Sequence, residues 1–357
     1  MAENRTLISQ DDEDLLKFIE SARPQIYIVG AGGSGSNTIT RISELNIDGV
    51  TLVAMNTDAP HLARIRSHRK VLIGKKITRG LGAGSDPKLG EESAVESREE
   101  ISHILSDAQL VFITCGLGGG TGTGSAPVIA HEAKKAGALT VGIVTLPFSS
   151  EGRPRMRNAL EGLSKLKRAT DTTIIIPNDK LLSVAPDLPL NMAFRISDEV
   201  LANATKGIIE MVTKPGMVNL DFADLRSVLK DSGYAVIGIG EANSTQTSDR
   251  ALIAIENTIK SPLLDVDLST ARKALVNIVG GEDLTLREAE KIFQEVSSRI
   301  SNDAMLKWGA RIDPQMQKSA IKVMVVLGGV EFASYTESGM KDTSEKLIEE
   351  DLDKIFE

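Results

Sequence analysis

Gly118-Gly119-Gly120-Thr121-Gly122-Thr123-Gly124 is the stretch of this chain that decides the fold. It follows an apolar run at 110–114 that is typical of a buried parallel strand. It precedes a helical pattern at 127–135, with Pro127 expected near the first turn. Glycines allow a ligand to approach the backbone closely, and the N–H groups of the loop and of the helix start suit a phosphate. No lysine follows as in GxxxxGK[ST], so the stretch is not an ordinary P-loop.

Composition limits the classes of function. The chain has 357 residues, enough for two domains, and its 41% hydrophobic and 25% charged residues are ordinary for a globular protein. The net charge of −8 supplies no basic stripe, so we expect no nucleic-acid partner. No apolar run reaches the ~18 residues of a membrane span. The N-terminus is acidic and unlike a signal peptide, so we expect a cytoplasmic protein without direct membrane insertion.

The single cysteine, Cys115, excludes an internal disulfide and fits a reducing compartment. It lies at the end of the strand beside the glycine-rich stretch, and no candidate base lies near it in the sequence. We therefore predict a small buried side chain rather than a nucleophile. The four histidines show no metal-ligand spacing.

Strand and helix patterns alternate along the first half of the chain. Strands are predicted at 25–30, 50–55, 110–114, 140–146 and 172–176, with helices from about residue 36, at 91–105 and at 156–170. This rhythm predicts an α/β fold, a parallel sheet with helices on both faces. A long central helix is predicted at 191–211 and a shorter one at 222–230. Apolar runs at 234–239, 274–279 and 321–327, with helices near 249–260 and 285–300, predict a smaller α+β domain.

A second glycine-rich loop, Gly30-Ala31-Gly32-Gly33-Ser34-Gly35, satisfies GxGxxG between a strand and a helix, and Asp58 follows the next strand. Taken alone, this pattern predicts a dinucleotide site, so an NAD-dependent oxidoreductase is a rival hypothesis. Asp58, however, lies beyond the strand end where a ribose-binding acid normally sits. A single pyrophosphate rarely needs two loops of N–H groups, whereas two such loops suit a triphosphate.

Eight segments in order resemble the FtsZ branch of the tubulin/FtsZ family, GTPases that assemble into cytokinetic filaments. They are residues 30–37, 56–58, 80–84, 118–124, 147–155, 176–181, 194–200 and 219–224. Segments 271–278, 280–286 and 308–313 resemble the second domain of the family, so the resemblance runs from about residue 25 to 330. The chain ends in Leu352-Asp353-Lys354-Ile355-Phe356 rather than in the Pro-Phe-Leu type of docking peptide of bacterial members, which favours an archaeal member.

The resemblance implies that the chain binds GTP and GDP. The residues that it assigns to the nucleotide are Gly32, Gly33, Ser34, Gly35, Ser36, Asn37, Asn56, Asp58, Gly84, Gly118, Gly119, Gly120, Thr121, Gly122, Thr123, Gly124, Glu151, Arg155, Asn178, Phe194 and Asp198. Mg²⁺ is expected mainly on the phosphates. Its protein ligands are unknown, with Asp58 as a candidate.

Within this set, Asp198 offers the chemistry that selects a base. Its carboxylate can accept hydrogen bonds from guanine N1–H and the 2-amino group, a pair that adenine lacks. The alternative is a solvated helix acid. Phe194, one turn earlier, either stacks on the base or packs in the core. Glu151 and Arg155 are expected at the ribose and a phosphate, and Asn178 at the ribose or the base edge.

Asn219, Asp221 and Asp224 form a separate group. Two carboxylates would repel a triphosphate in their own subunit, and they could simply be acids at a helix N-terminus. The resemblance implies instead that this loop enters the nucleotide site of the next subunit, where the aspartates polarise the attacking water. Hydrolysis would then need a head-to-tail contact, which does not close and yields filaments.

The predicted organisation has four segments. They are an acidic arm at 1–23 with a short helix at 14–22, a GTP-binding domain at 24–215 that includes the central helix, an α+β domain at 216–335, and a polar tail at 336–357 with a terminal apolar cluster. The tail is either disordered or a short docking helix, and both remain open.

The sequence therefore predicts a cytoplasmic GTPase, located at the division site, that forms a head-to-tail homopolymer for cell division. Membrane-tethering or division proteins are expected on the C-terminal tail. The first rival is a tubulin-like structural or cell-shape filament with little turnover, and the second is the NAD-dependent oxidoreductase.

Overall fold

The computed structural model describes residues 24–182, 189–243, 247–264 and 266–330. The predictions for the N-terminal arm and for the tail at 336–357 lie outside the described residues. Of the helices in the described ranges, none is long and apolar enough to cross a membrane.

Within the described residues, ten strands form one mixed sheet. They are β1 (Ile26–Ala31), β2 (Val50–Asn56), β3 (Arg69–Leu72), β4 (Leu110–Gly116), β5 (Leu139–Leu146), β6 (Thr172–Pro177), β7 (Gly233–Asn243), β8 (Lys273–Gly280), β9 (Met305–Ile312) and β10 (Ala320–Gly328). Their order is β3-β2-β1-β4-β5-β6-β7-β10-β8-β9. Neighbours from β3 to β7 are parallel, whereas β10 is antiparallel to both β7 and β8.

Helices cover both faces of the sheet. They are α1 (Gly32–Glu44), α2 (Ala59–Arg64), α3 (Pro87–Glu96), α4 (Arg98–Ile104), α5 (Thr121–Lys135), α6 (Arg153–Ala169), α7 (Asn178–Leu182), α8 (Leu190–Thr213), α9 (Phe222–Leu229), α10 (Thr247–Ile259) and α11 (Leu286–Ser297). The predicted fold class, a parallel-sheet domain with helices on both faces and a long central helix, followed by an α+β half, is confirmed. The predicted domain boundary after residue 215 stays a prediction. Strands β6 and β7 lie on either side of it and pair directly in the one sheet.

Strand β1 shows how the two cores form. Successive side chains of a strand point to opposite faces. Accordingly, Ile26 and Ile28 pack into a core that contains buried residues of α1, α8 and α9, whereas Tyr27 and Val29 pack into one that contains residues of α5 and α6. A strand that is buried on both faces reads as a continuous apolar run, which is why the parallel half of the sheet was predictable.

Three local features differ from the prediction. The helix expected at 91–105 is two helices, α3 and α4, that meet at Ser97, whose hydroxyl accepts a hydrogen bond from the Gly74 N–H at 3.1 Å. Helix α1 begins at Gly32 rather than near Ser36. Strand β9 is absent from the prediction because only Gly309 and Ala310 of its residues are buried, so it shows no apolar run.

Candidate functional site

The carboxyl ends of β1, β4, β5 and β6 open into a cavity of about 400 Å³. In open parallel sheets, this edge is where ligands bind. The predicted nucleotide residues that line the cavity are Gly33, Ser34, Asn37, Gly119, Gly120, Thr121, Gly122, Glu151, Arg155, Asn178, Phe194 and Asp198. Both glycine-rich loops therefore contribute to one cavity.

Each glycine-rich loop passes directly into a helix. Gly32, with φ of 71°, begins α1, and Gly118, with φ of 98°, lies three residues before α5. These left-handed conformations are available to glycine at little cost. The prediction that Pro127 lies near the first turn is wrong, because α5 begins at Thr121 and Pro127 lies inside it. The first turns of two helices thus line the cavity, and such turns have N–H groups without intrahelical partners.

Several residues that the resemblance assigns to the nucleotide pack closely against neighbouring backbone. A Cβ on Gly35 would lie 2.2 Å from the Thr114 carbonyl oxygen, and one on Gly124 would lie 1.9 Å from that of Pro87. Ser36 is fully buried, and its hydroxyl has no hydrogen-bond partner among the described residues. Gly32, Gly35, Ser36, Gly118, Thr123 and Gly124 do not line the cavity. They shape the backbone around the cavity, and their assignment to the nucleotide stays a prediction.

Hydroxyl and amide groups fix the loops next to the cavity. The hydroxyls of Thr57 and Thr121 lie 2.6 Å apart, and the Gly118 N–H donates to Thr123 Oγ1 at 2.8 Å. Asn56 Oδ1 accepts from the Thr57 N–H at 2.9 Å. These contacts hold the second predicted nucleotide loop against the start of α5.

Asp58 and Gly84 also lie outside the cavity lining. Asp58 caps α2, where its carboxylate accepts from the His61 N–H at 2.9 Å. The His61 ring in turn lies 3.1 Å from both Asn37 Oδ1 and Asn56 Nδ2, which links a residue of the cavity to the second loop. His61 is a supporting residue that the sequence prediction missed, because a lone histidine gives no motif.

Asp198 provides a carboxylate at the α8 side of the cavity. It lies near Thr38 Oγ1 and Ser34 Oγ, at 3.4 and 3.5 Å from its Oδ1. Burial raises the pKa of Asp198 to about 6, and the hydrogen bond from Thr38 opposes this shift. A solvated helix acid would not show such a shift, so the half-buried position favours a role in the cavity.

Phe194 is 38% exposed, so it is not a core side chain. Its ring contacts that of Phe148 edge-on, with the ring centroids 5.2 Å apart. This contact supports one edge of the Phe194 ring while the residue lines the cavity. The geometry matches the stacking interpretation better than the core-packing alternative.

Polar side chains complete the rim. Glu151 accepts from the Phe148 N–H at 2.8 Å and forms an ion pair with Arg155 at 2.9 Å. Asn178 is buried, and its Oδ1 accepts from Ser197 Oγ at 2.8 Å. Cavity residues that the sequence prediction missed are Ala31, Gly116, Leu117, Thr145, Pro147 and Ser197. Ala31, Pro147 and Ser197 belong to recognised segments but were not assigned to the nucleotide, whereas Gly116, Leu117 and Thr145 lie at or next to strand ends.

A larger cavity of about 1010 Å³ lies between α3, α5 and α6. Its lining contains Asp86, Glu91, Glu92, Glu96 and Glu161 but only two lysines, Lys88 and Lys165. This negative balance opposes binding of a triphosphate. The smaller cavity is therefore the candidate nucleotide site.

The three predicted catalytic residues do not line the cavity. Asp221 caps α9: its Oδ1 accepts from the Asp224 N–H at 2.7 Å, and its own N–H donates to Asp224 Oδ2 at 3.4 Å. Asn219 Oδ1 accepts from the Gly216 N–H at 2.6 Å. The helix N-terminal interpretation of the two aspartates thus describes their contacts within one subunit.

Cys115 is fully buried, and burial raises the pKa of its thiol to about 12. A thiol in this environment stays protonated and unreactive. The prediction of a small buried residue rather than a nucleophile is confirmed.

Known proteins share both the sequence and the fold. Residues 25–186 match the Tubulin/FtsZ family, GTPase domain, and residues 233–331 match the FtsZ family, C-terminal domain. The chain is 50% identical to cell division protein FtsZ 1 of Methanocaldococcus jannaschii over 95% of this chain and 92% of that protein. It is 54% identical to cell division protein FtsZ 1 of Pyrococcus abyssi over 90% and 85% of the two chains.

Two solved structures illustrate the shared fold. The M. jannaschii structure titled as an empty FtsZ dimer has a TM-score of 0.85 at 48% identity, covering 94% of this chain and 100% of that chain. CetZ2 from Haloferax volcanii has a TM-score of 0.76 at 23% identity, covering 93% and 100%, and shares the fold.

The glycines of α5 and its loop allow a matched pair of substitutions. A Cβ at Gly119 would meet nothing within 4 Å, whereas one at Gly124 would collide with the backbone of α3. We expect Gly119→Ala to keep its stability within about 0.5 kcal/mol but to lose at least about tenfold in GTP affinity, because its methyl group enters the cavity. We expect Gly124→Ala to lose about 3 kcal/mol or more of stability. Urea unfolding and GTP titration measure both effects, and equal stability losses would contradict this division of roles.

The burial of Asp198 predicts that its carboxylate, which is expected to bind the base, lowers the stability of the nucleotide-free protein at neutral pH. A carboxyl whose folded pKa is raised adds stability below its unfolded pKa, and this stability is lost as the pH rises through about 6. Without nucleotide at pH 7.5, Asp198→Asn should therefore be more stable than the wild type by roughly 1 to 3 kcal/mol, and by less at pH 5. Glu199→Gln, at an exposed neighbour, is the control. Unfolding curves at the two pH values test this, and a less stable Asp198→Asn at pH 7.5 would refute it.

Proposed function

This chain belongs to the tubulin/FtsZ family of GTPases, and from that membership we propose that it hydrolyses GTP between the head-to-tail subunits of a cell-division filament. One observation carries the proposal: the candidate nucleotide cavity and the acids at 221 and 224 lie at different ends of α8. Asp198 lines the cavity, and fifteen residues of α8 separate it from Thr213 near the acidic loop. At 1.5 Å per residue, this is about 22 Å along the helix axis.

Because Asn219, Asp221 and Asp224 also lie outside the cavity lining, we infer that they do not act on a nucleotide in their own subunit. A group that activates water must lie within hydrogen-bond reach of it. A second copy stacked head to tail would bring its loop, with Asn219, Asp221 and Asp224, to the cavity of the first. Such a heterologous contact repeats without closing, which gives a filament. A relative with 48% identity is titled as a dimer, in line with self-association.

The cavity suits a guanine nucleotide. Its triphosphate would lie at the first turns of α1 and α5, where backbone N–H groups and the Thr121 hydroxyl are available. Asp198, as a carboxylate, would accept from guanine N1–H and the 2-amino group, and Phe194 would stack on the base. Glu151 and Arg155 would contact the ribose and a phosphate.

Mg²⁺ is proposed to bind mainly through the phosphates. Among the described residues, no group of three His, Cys, Asp or Glu side chains is arranged to hold a metal. Glu151 is paired with Arg155, and Asp58 caps α2. A cation that keeps several waters and takes phosphate ligands fits such a site, where it would neutralise charge on the phosphates.

A role in cell division, at the division site, is proposed from the relatives, which are named cell division proteins. The hydrolytic filament is favoured over a structural filament with little turnover, because both Asp221 and Asp224 are present and hold each other in a capping box at the start of α9. Tethering or division proteins are proposed to bind through the tail at 336–357.

The proposed function predicts that turnover depends on assembly. GTP hydrolysis per subunit should rise from near zero in dilute solution as the protein concentration increases, because each site is completed by a neighbour. Phosphate release, followed in parallel with sedimentation in GTP and in GDP, measures this. A constant specific activity down to dilute monomer would refute the shared site.

Two substitutions distinguish the charge of Asp224 from its capping contact. Asp224→Asn keeps an oxygen that can accept from the Asp221 N–H but removes the charge, whereas Asp224→Ala also removes the cap bond, which costs about 1 kcal/mol. We expect both variants to bind GTP within about twofold of the wild type, to hydrolyse it at least about tenfold more slowly, and to form longer-lived polymers. Loss of GTP binding in Asp224→Asn would contradict a role in the neighbouring site.

A further inference from the structure

Strand β9 holds the acidic loop in place from the C-terminal half of the chain. Val218 and Ala310 exchange two backbone hydrogen bonds of 3.1 Å, which attach the loop to β9. The Gly309 backbone lies under Leu220, since a Cβ there would be 3.0 Å from the Leu220 side chain. The loop that carries Asp221 is therefore aligned by two neighbouring residues of one strand.

The same strand carries a cation that contacts Asp224. Lys307 Nζ lies 2.7 Å from Asp224 Oδ1, while the other oxygen of that carboxylate accepts from the Asp221 N–H at 3.4 Å. The carboxylate is thus held from two sides. The hydrogen bond from Lys307 is the largest cause of a lowered pKa at Asp224, and the same contact raises the pKa of Lys307.

Charge gives this contact a further consequence. Asp221 and Asp224 together bring two negative charges toward a triphosphate, and like charges at close range repel. Lys307 supplies one compensating positive charge beside them, and Asp221 also lies in its field. A loop with this balance approaches a polyanion with less repulsion than the two acids alone.

We propose that Lys307 is a positioning residue for GTP hydrolysis, which orients the Asp224 carboxylate and offsets its charge in the half-site that this subunit presents to the next. The inference rests on the proposed function, because it needs Asp224 to act in a neighbouring cavity. Lys307 acts through Asp224 rather than on the nucleotide.

Four variants of the full chain test the proposal. Lys307→Met should reduce turnover per subunit about tenfold in fully assembled protein, while Lys307→Arg, which keeps the charge, should stay within about threefold of the wild type. In an Asp224→Asn background, Lys307→Met should cause no further loss, since the two residues act as one unit. Lys322→Met is the matched control, because Lys322 forms a comparable pair with Glu241 at 2.7 Å and is similarly exposed.

Two further measurements separate positioning from a structural effect. Thermal unfolding of Lys307→Met should match that of Lys322→Met, because both remove one partly exposed ion pair. The critical concentration for assembly should rise more for Lys307→Met than for the control at low salt, and the difference should shrink as salt screens the repulsion.

The outcomes distinguish this inference from the proposed function. If wild-type turnover rises with protein concentration but Lys307→Met equals the control, the role of Lys307 is refuted alone. An equal loss from Lys307→Met in the wild-type and Asp224→Asn backgrounds also refutes it. Wild-type turnover that is independent of concentration would refute the filament mechanism, and this inference with it.

Discussion

The structure depends on backbone contacts around the start of α5. A Cβ at Gly124 would lie 1.9 Å from the Pro87 carbonyl oxygen, one at Gly90 would lie 2.3 Å from that of Gly120, and one at Gly162 would lie 2.3 Å from Thr123 Cγ2. Helices α3 and α6 therefore approach α5 as closely as two backbones or a backbone and a side chain allow. Close packing of this kind leaves little room for rearrangement. The first turn of α5 is consequently fixed in space before any ligand arrives, which is the condition for a preformed phosphate site.

The long helix α8 separates the candidate nucleotide cavity from the loop that carries Asp221. Its N-terminal half brings Phe194 and Asp198 to the cavity, and its C-terminal end leads into the loop with Asp221. Fifteen residues of a helix span about 22 Å, so α8 sets the spacing between Asp198 and the residue at which the chain leaves the helix, Thr213. Under the proposed function, one subunit would recognise a nucleotide but would lack, on its own, the acids to hydrolyse it. Catalysis in such a protein would be controlled by assembly, since positioning supplies most of the rate in phosphoryl transfer.

The sequence predicted the parallel half of the sheet because buried strands are continuous apolar runs, and it located the cavity because glycine-rich loops follow strands. It could not divide the glycines into lining and packing positions. Gly119 and Gly124 look alike in one motif, but only the neighbouring helices show that one is open and the other is enclosed. Strand β9 was not predicted, because this half-exposed edge strand shows no apolar pattern. Lys307 was not predicted either, because a lysine gives no sequence signal until the position of its partner, Asp224, is known.

The two interpretations of Asp221 and Asp224, as helix caps and as catalytic acids, are compatible. A carboxylate has about four acceptor sites, so one bond to a backbone N–H leaves capacity for water. The cap also removes rotational freedom: Asp221 is fixed by the Asp224 N–H, and Asp224 by the Asp221 N–H together with Lys307. Groups that are ordered before reaction lose less entropy when they act. An exposed loop would otherwise present two mobile acids to its neighbour. In the proposed filament, these capping contacts would keep the two acids ordered as the second half of a neighbour's active site.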